Sequence, residues 1–165
     1  MQKTSYPQGK WNVVFFLIAL LVVAADQLSK TWIRSNLAIG QSLPETGFFR
    51  LTHIYNTGAA FGLFHGQSFS LTIVALVGIV ILLLYVLIFY RRFPFLVNRL
   101  GKSALGLVLG GTIGNLIDRL RFGYVTDFID VGIWPAFNIA DSAVVVGVII
   151  FASSILSLTR TGTTQ

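Results

Sequence analysis

Long apolar runs separated by short polar stretches organise this chain. Residues 12–33 are largely apolar, with Asp26 and Lys30 near their end, and residues 69–90 are almost uninterrupted. Residues 103–120 are shorter and glycine-rich, and residues 138–158 are apolar again. A helix needs ~20 residues at ~1.5 Å rise to cross a bilayer, so the pattern predicts four membrane-spanning helices. For the third run, length alone also permits a re-entrant or buried helix. The pattern changes between the first two runs. Residues 48–55 have strand-like content with mixed alternation, and residues 56–62 supply turn residues beside aromatics. A small β-element over residues 45–66 is therefore expected at the membrane surface, with Phe61, Phe64 and Phe69 at the headgroup or acyl boundary.

The first run has a second reading. Lys3 and Lys10 precede it, and Val23-Ala24-Ala25 resembles the cleavage site of a secretory signal. Against that, the helical pattern continues past Ala25 through Leu28, Trp32 and Ile33.

Composition narrows the class. At 165 residues, 55% hydrophobic and only 11% charged, the chain reads as one mainly α-helical integral membrane domain over residues 1–165. It has no cysteine, which excludes a disulfide framework, thiolate metal sites and a cysteine nucleophile. Its two histidines, His53 and His65, are not spaced as a helical ligand pair and read as surface or interface residues. No metal site is supported and no cofactor is expected. The net charge of +6 is not gathered into a dense basic run, so it reports topology and anionic lipid rather than nucleic acid.

The basic residues also orient the chain. Lys3, Lys10, Arg91, Arg92, Arg99, Lys102 and Arg160 fall on one side of the expected spans, which the positive-inside rule makes cytoplasmic. Lys30, Arg34, Arg50, Arg119 and Arg121 fall toward the other side, together with every acidic residue. Carboxylates do little to set topology, so their one-sided placement points to chemistry.

Four of the six acidic residues, Asp118, Asp127, Asp130 and Asp141, lie between the expected third and fourth spans or at their edges. Ionisable groups at membrane depth are costly and mark functional sites. Asp127 and Asp141 form a candidate pair. Two carboxylates brought together at low dielectric share one proton and titrate as a unit. Such a dyad activates water with its charged member and polarises a peptide carbonyl with the protonated one. The plainer reading makes Asn138 a helix cap with Asp141 as the acid of a capping-box-like N-x-x-D, and Asp127 a turn residue in a loop.

Gly106, Gly110 and Gly114 repeat every four residues, a smooth face for close helix approach. Asp118 continues that row, and a structural ion pair with Arg119 is expected of it. Asn115 could bond a substrate backbone or a neighbouring helix. Asp26 and Lys30, spaced i, i+4, are expected to form an interior-facing structural pair reaching the outer β-element. Asp130 reads as an interfacial loop charge. On the residues alone, a proton-coupled transporter and an assembly subunit using the glycine face both remain open.

Five motifs in register narrow the choice. D-Q-L-S-K (26–30), N-T-G-A-A-F-G (56–62), G-G-T-I-G-N-L-I-D-R (110–119), V-T-D-F-I (125–129) and F-N-I-A-D-S (137–142) together resemble the bacterial lipoprotein signal peptidase (signal peptidase II) family. The resemblance implies an inner-membrane aspartic endopeptidase that removes the signal peptide from prolipoproteins, just before a cysteine carrying diacylglycerol. It implies Asp127 and Asp141 as the catalytic dyad. Asn56, Asn115, Arg119 and Asn138 would bind substrate or orient the aspartates, and Asp26, Lys30 and Asp118 would support them structurally. The outer β-element becomes a cradle on the membrane surface, and residues 121–134 a mobile flap. Both termini would be cytoplasmic and the site near the outer face. The implied partners are the lipidated prolipoprotein and membrane lipid, and nothing in the sequence demands more than a monomer. Gly62 stands where the family's motif often has serine, which leaves the chemistry untouched. Cleavage after Ala25 would remove a span the family needs, which weighs against the secretory-signal reading.

Overall fold

Glycines decide how closely the helices meet. The computed structural model describes residues 8–58, 66–89 and 99–161. Lys3, Arg91, Arg92 and residues 59–65, which include Phe61, Phe64 and His65, lie outside the described residues. Helix α1 spans Gln8–Asn36, α2 Ser68–Leu84 with a π-helical turn Tyr85–Phe89 after it, α3 Arg99–Phe122 and α4 Ile139–Thr161. On α3, a Cβ added at Gly106 would stand 2.8 Å from the Phe15 carbonyl oxygen, and one at Gly110 2.7 Å from that of Ala19. The expected glycine row is thus the seam between α3 and α1. A second seam was not read from the sequence. Gly111 meets the Ala140 carbonyl of α4, and a Cβ at Gly147 of α4 would lie 2.7 Å from the Ala104 carbonyl oxygen. Helix α3 is clasped from two sides by small residues, the mode of packing that works without a hydrophobic driving force between helices.

Substitutions at two glycines should therefore differ in effect. Gly111→Val forces a backbone shift beside Ala140 and destabilises by about 1–3 kcal/mol or more. Gly78→Val on α2, where an added Cβ meets nothing within 4 Å, changes little. Thermal unfolding in detergent compares the two.

Helices α1, α2 with its π-helical turn, and α3 are each long and apolar enough to cross a membrane, while the apolar stretch Ile139–Ser154 of α4 is shorter. The third run therefore differs from its reading as the short one. Helix α3 has 24 residues, because residues 99–102, with Arg99 and Lys102, and residues 121–122, with Arg121, extend it beyond the apolar run. Large apolar side chains such as Leu20, Leu28, Val74, Ile81 and Ile149 point outward. Among the described residues α2 has no fully buried side chain. Its apolar surface faces away from the other helices except where Ile79, Leu82 and Leu83 join the Phe15, Leu105 and Leu109 cluster.

The β-element is larger than expected and draws on a second part of the chain. Strands β1 (Ser42–Leu43), β2 (Arg50–Asn56) and β3 (Val125–Asp130) form an antiparallel sheet in the order β1-β2-β3. Residues 121–134 were expected to carry a flap, and the plainer reading of Asp127 made it a turn residue in a loop. Most of that segment is instead the end of α3 and the edge strand β3. Strand β3 escaped notice because Val125, Thr126, Asp127 and Phe128 are all buried. That removes the alternation by which a half-buried strand is recognised, and its partner lies some 70 positions away in register, with Ile54 opposite Asp127.

Two further expectations change. Asp130 is a strand residue paired with Arg50 directly across the sheet, not a loop charge. His53 is buried rather than at the surface. Its Nδ1 donates to the Leu37 carbonyl at 2.8 Å, which fastens β2 to the end of α1.

Candidate active site

A cluster of buried charges holds the helices and sheet in one arrangement. Lys30 and Asp26 pair at 2.9 Å with both side chains fully buried, as the i, i+4 spacing predicts. Lys30 also lies 3.4 Å from Asp118 Oδ2 and donates to Asn115 Oδ1 at 2.8 Å. Its ammonium therefore faces three oxygens from α1 and α3. Asp118 is buried too. It accepts the Thr126 backbone N–H at 3.0 Å and lies 3.4 Å from Arg34, whose guanidinium donates to Thr126 Oγ1 at 3.0 Å.

The expected pair between Asp118 and Arg119 does not form. Consecutive residues on a helix project about 100° apart, so Arg119 turns away and donates to the Gly58 carbonyl at 3.2 Å. The link to the sheet likewise runs through Asp118 and Arg34, not through Asp26 and Lys30. Asp26 reaches elsewhere, accepting the Ala140 N–H of α4 at 3.0 Å.

The start of α4 carries one carboxylate. Asn138 Oδ1 accepts the Asp141 N–H at 2.9 Å, and Asp141 Oδ2 accepts the Asn138 N–H at 3.3 Å. This reciprocal arrangement is a capping box, so the plain reading of Asp141 is fulfilled. It leaves Asp141 Oδ1 turned toward α3, where Asn115 Nδ2 donates to it at 2.7 Å.

Strand β3 carries the other carboxylate. Asp127 Oδ1 accepts from Asn138 Nδ2 at 2.7 Å, and Oδ2 accepts from Asn56 Nδ2 at 2.8 Å. Asn56 is fixed in turn by accepting the Gly58 N–H at 2.9 Å. Asn138 therefore touches both carboxylates, that of Asp127 through its side-chain amide and that of Asp141 through its backbone N–H. Burial, reinforced by the neighbouring Asp141 carboxylate, pushes Asp127 up to about 7. Both aspartates, with Asn56, Arg119 and Trp134, line one cavity of about 910 Å³.

The sequence pattern of the signal peptidase (SPase) II family matches residues 18–157. The chain belongs to this family. A lipoprotein signal peptidase of Dehalococcoides mccartyi is 53% identical over 138 residues, covering 84% of this chain and 86% of that protein. One of Moorella thermoacetica is 48% identical over 143 residues, covering 86% and 92%. Among solved structures, a bacterial membrane enzyme determined by the in meso method at 2.3 Å superposes with a TM-score of 0.78 at 32% identity. That likeness covers 100% of this chain and 97% of the other.

The signal peptidase II match extends from within α1 to within α4 and so includes every residue of the charge cluster and both aspartates. All the site residues singled out from the sequence, Asp26, Lys30, Asn56, Asn115, Asp118, Arg119, Asp127, Asn138 and Asp141, fall in this one connected region. Gln27, Arg34, Thr126 and Gly58 belong to it as well and were not singled out. Gln27 donates to Asp26, to the Gly114 carbonyl and to Asp118 at 3.0–3.2 Å. Arg34 had a readable signal, since it lies one turn beyond Lys30 on the same helix face. Thr126 and Gly58 act mainly through backbone atoms, which carry no sequence signal.

Proposed function

We propose that this signal peptidase II family member is an intramembrane aspartic endopeptidase. It cleaves the signal peptide from diacylglyceryl-modified prolipoproteins immediately before the lipidated cysteine, with Asp127 and Asp141 as the dyad. The observation that carries the reading is the presence of these two carboxylates, Asp127 buried and Asp141 partly so, on the wall of one cavity, bridged by Asn138. Such a pair holds one proton between its members at neutral pH.

The ionised member takes a proton from water as the water oxygen bonds to the scissile carbonyl carbon. The protonated member gives its proton to the carbonyl oxygen, forming a neutral tetrahedral diol. Collapse breaks the C–N bond as the first aspartate passes its proton to the leaving nitrogen, and the second recovers a proton from the hydroxyl. Arg119 Nε is buried with no hydrogen-bond partner among the described residues, which suits it to a carbonyl of the bound peptide. The apolar Val144 and Val145 of α4 line the same cavity and give a lipid-bearing substrate an oily wall.

In this reading the four helices are four crossings of the inner membrane. Both termini are cytoplasmic, the dyad is near the outer face and the enzyme works as a monomer. A peptide buried in lipid has its backbone bonds satisfied and water absent. A site at the helix ends, beside the sheet, admits both the peptide and water. Of the segment expected as a flap, the part left to cover the site is the turn after β3, where Trp134 borders the cavity.

The dyad must keep one proton, so activity is lost as pH rises through the upper apparent pKa of the pair. With Asp127 at about 7, kcat/KM is expected to fall on an alkaline limb centred near that pH, read from a pH–rate profile in detergent. The function itself is tested by incubating purified protein with a diacylglyceryl-modified prolipoprotein. Loss of the signal peptide appears as a mobility shift. A competent substrate left uncut by well-folded protein contradicts the assignment.

A further inference from the structure

Asparagine amides can point either way, and their orientation must be inferred from their partners. Around this dyad the partners leave no choice. Lys30 is a donor only, so the Asn115 atom 2.8 Å from its ammonium is the oxygen. The same oxygen accepts from Asn138 Nδ2 at 3.2 Å. Asn115 must then offer its NH2 to Asp141 Oδ1, at 2.7 Å. Asn138 is fixed independently, because its oxygen accepts the Asp141 backbone N–H.

The surroundings of the two carboxylates differ as a result. Asp141 sits in the first turn of α4, at the positive end of the helix dipole, and receives an amide whose direction is set by a cation. Asp127 sits on a strand, which supplies no such dipole, and is held by the neutral amides of Asn56 and Asn138. The charged groups around the pair are Asp26 and Lys30 from α1, Asp118 and Arg119 from α3, and each aspartate for the other. Lys30 is the one among them that reaches an aspartate through a single intervening amide.

We infer that Lys30 is a positioning residue which, by fixing the amide of Asn115, holds Asp141 as the ionised member of the dyad and leaves the shared proton on Asp127. This rests on the proposed peptidase function and adds roles to it. Asp141 is the base that takes the proton from water, and Asp127 is the acid that protonates the carbonyl oxygen. The charge cluster has a catalytic consequence beyond holding helices together.

The test compares pH–rate profiles of the detergent-solubilised enzyme on a diacylglyceryl-modified prolipoprotein. Asn115→Leu removes the relay but leaves Asp26, Lys30 and Asp118 in place, so it spares the charge balance. It is expected to lower kcat by about 10- to 100-fold, leave KM within about twofold, and move the acidic limb of the profile to higher pH by about one unit. Lys30→Met is expected to move the same limb in the same direction. In the double variant the two losses do not multiply, as for residues acting through one path. A purely structural role lowers the active fraction and leaves the limb where it is. Since Lys30→Met leaves the buried Asp26 carboxylate without its cation, Asn115→Leu decides the matter if that variant does not fold. An acidic limb unchanged in Asn115→Leu, or losses that multiply in the double variant, overturns the relay. Asp141→Asn separates this from the function itself: if that variant cleaves normally, the dyad reading fails, not merely the relay.

Discussion

Asp127→Asn and Asp141→Asn each lower the rate of prolipoprotein cleavage by about 10³-fold or more, and combining them costs little further. An amide can neither take the proton from water nor hand one to the carbonyl oxygen, so either change removes one half of a cooperative proton exchange. Positioned acid–base groups typically contribute about 10²- to 10⁴-fold each, and residues that act as a unit are far from additive. The variants must also be shown to fold. The amide introduced by Asp127→Asn would set its NH2 group against one of the amides of Asn56 and Asn138, which now donate to the carboxylate at 2.8 and 2.7 Å. Thermal unfolding in detergent, run beside the cleavage assay, separates lost chemistry from lost structure. Substantial cleavage by either single variant, once folded, removes that residue from the dyad.

Asp118→Ala has the largest expected effect on stability. Its carboxylate is fully buried, lies 3.4 Å from both Lys30 and Arg34, and accepts the Thr126 N–H. Removing one partner of a buried ion pair leaves uncompensated charge and costs about 3–5 kcal/mol. Here the loss also frees the backbone of β3 one residue before Asp127, so activity should fall with stability. Asp130→Ala is the fitting comparison. It too breaks an aspartate–arginine pair on β3, but Arg50 is 31% exposed, and pairs open to solvent are worth about 1 kcal/mol or less. A fall in melting temperature of similar size for both variants contradicts the role given to the buried cluster.

How much of this was legible in the sequence depends on how local the signal was. The helices were, because apolar runs near membrane length rarely fold as anything else. The pairing of Asp26 with Lys30 and the glycine row continued by Asp118 were legible because both follow from helical spacing alone. The capping box at Asn138 and Asp141 was legible for the same reason. It shows that one residue can fulfil a plain structural role and still present a carboxylate oxygen to the cavity. Strand β3 was not, since burial on both faces erased its alternation and its partner strand is remote in sequence. The misassigned partners of Asp118 have a similar origin. Adjacent charges in the sequence suggested Arg119, whereas helix geometry and the position of β3 chose Lys30, Arg34 and the Thr126 amide. His53 was read as a surface or interface residue because its partner, the Leu37 carbonyl, becomes a neighbour only when β2 folds back on α1.

In the proposed reaction, Asp127 and Asp141 hydrolyse the peptide bond just before a lipidated cysteine. The most direct measurement is the mass of both products after purified enzyme meets a diacylglyceryl-modified prolipoprotein and its unmodified counterpart. One cut is expected in the modified substrate, yielding a product whose first residue is the lipidated cysteine, and no cut with Asp127→Asn or Asp141→Asn. Cleavage at another bond, or cleavage that persists in both asparagine variants, contradicts the proposed reaction.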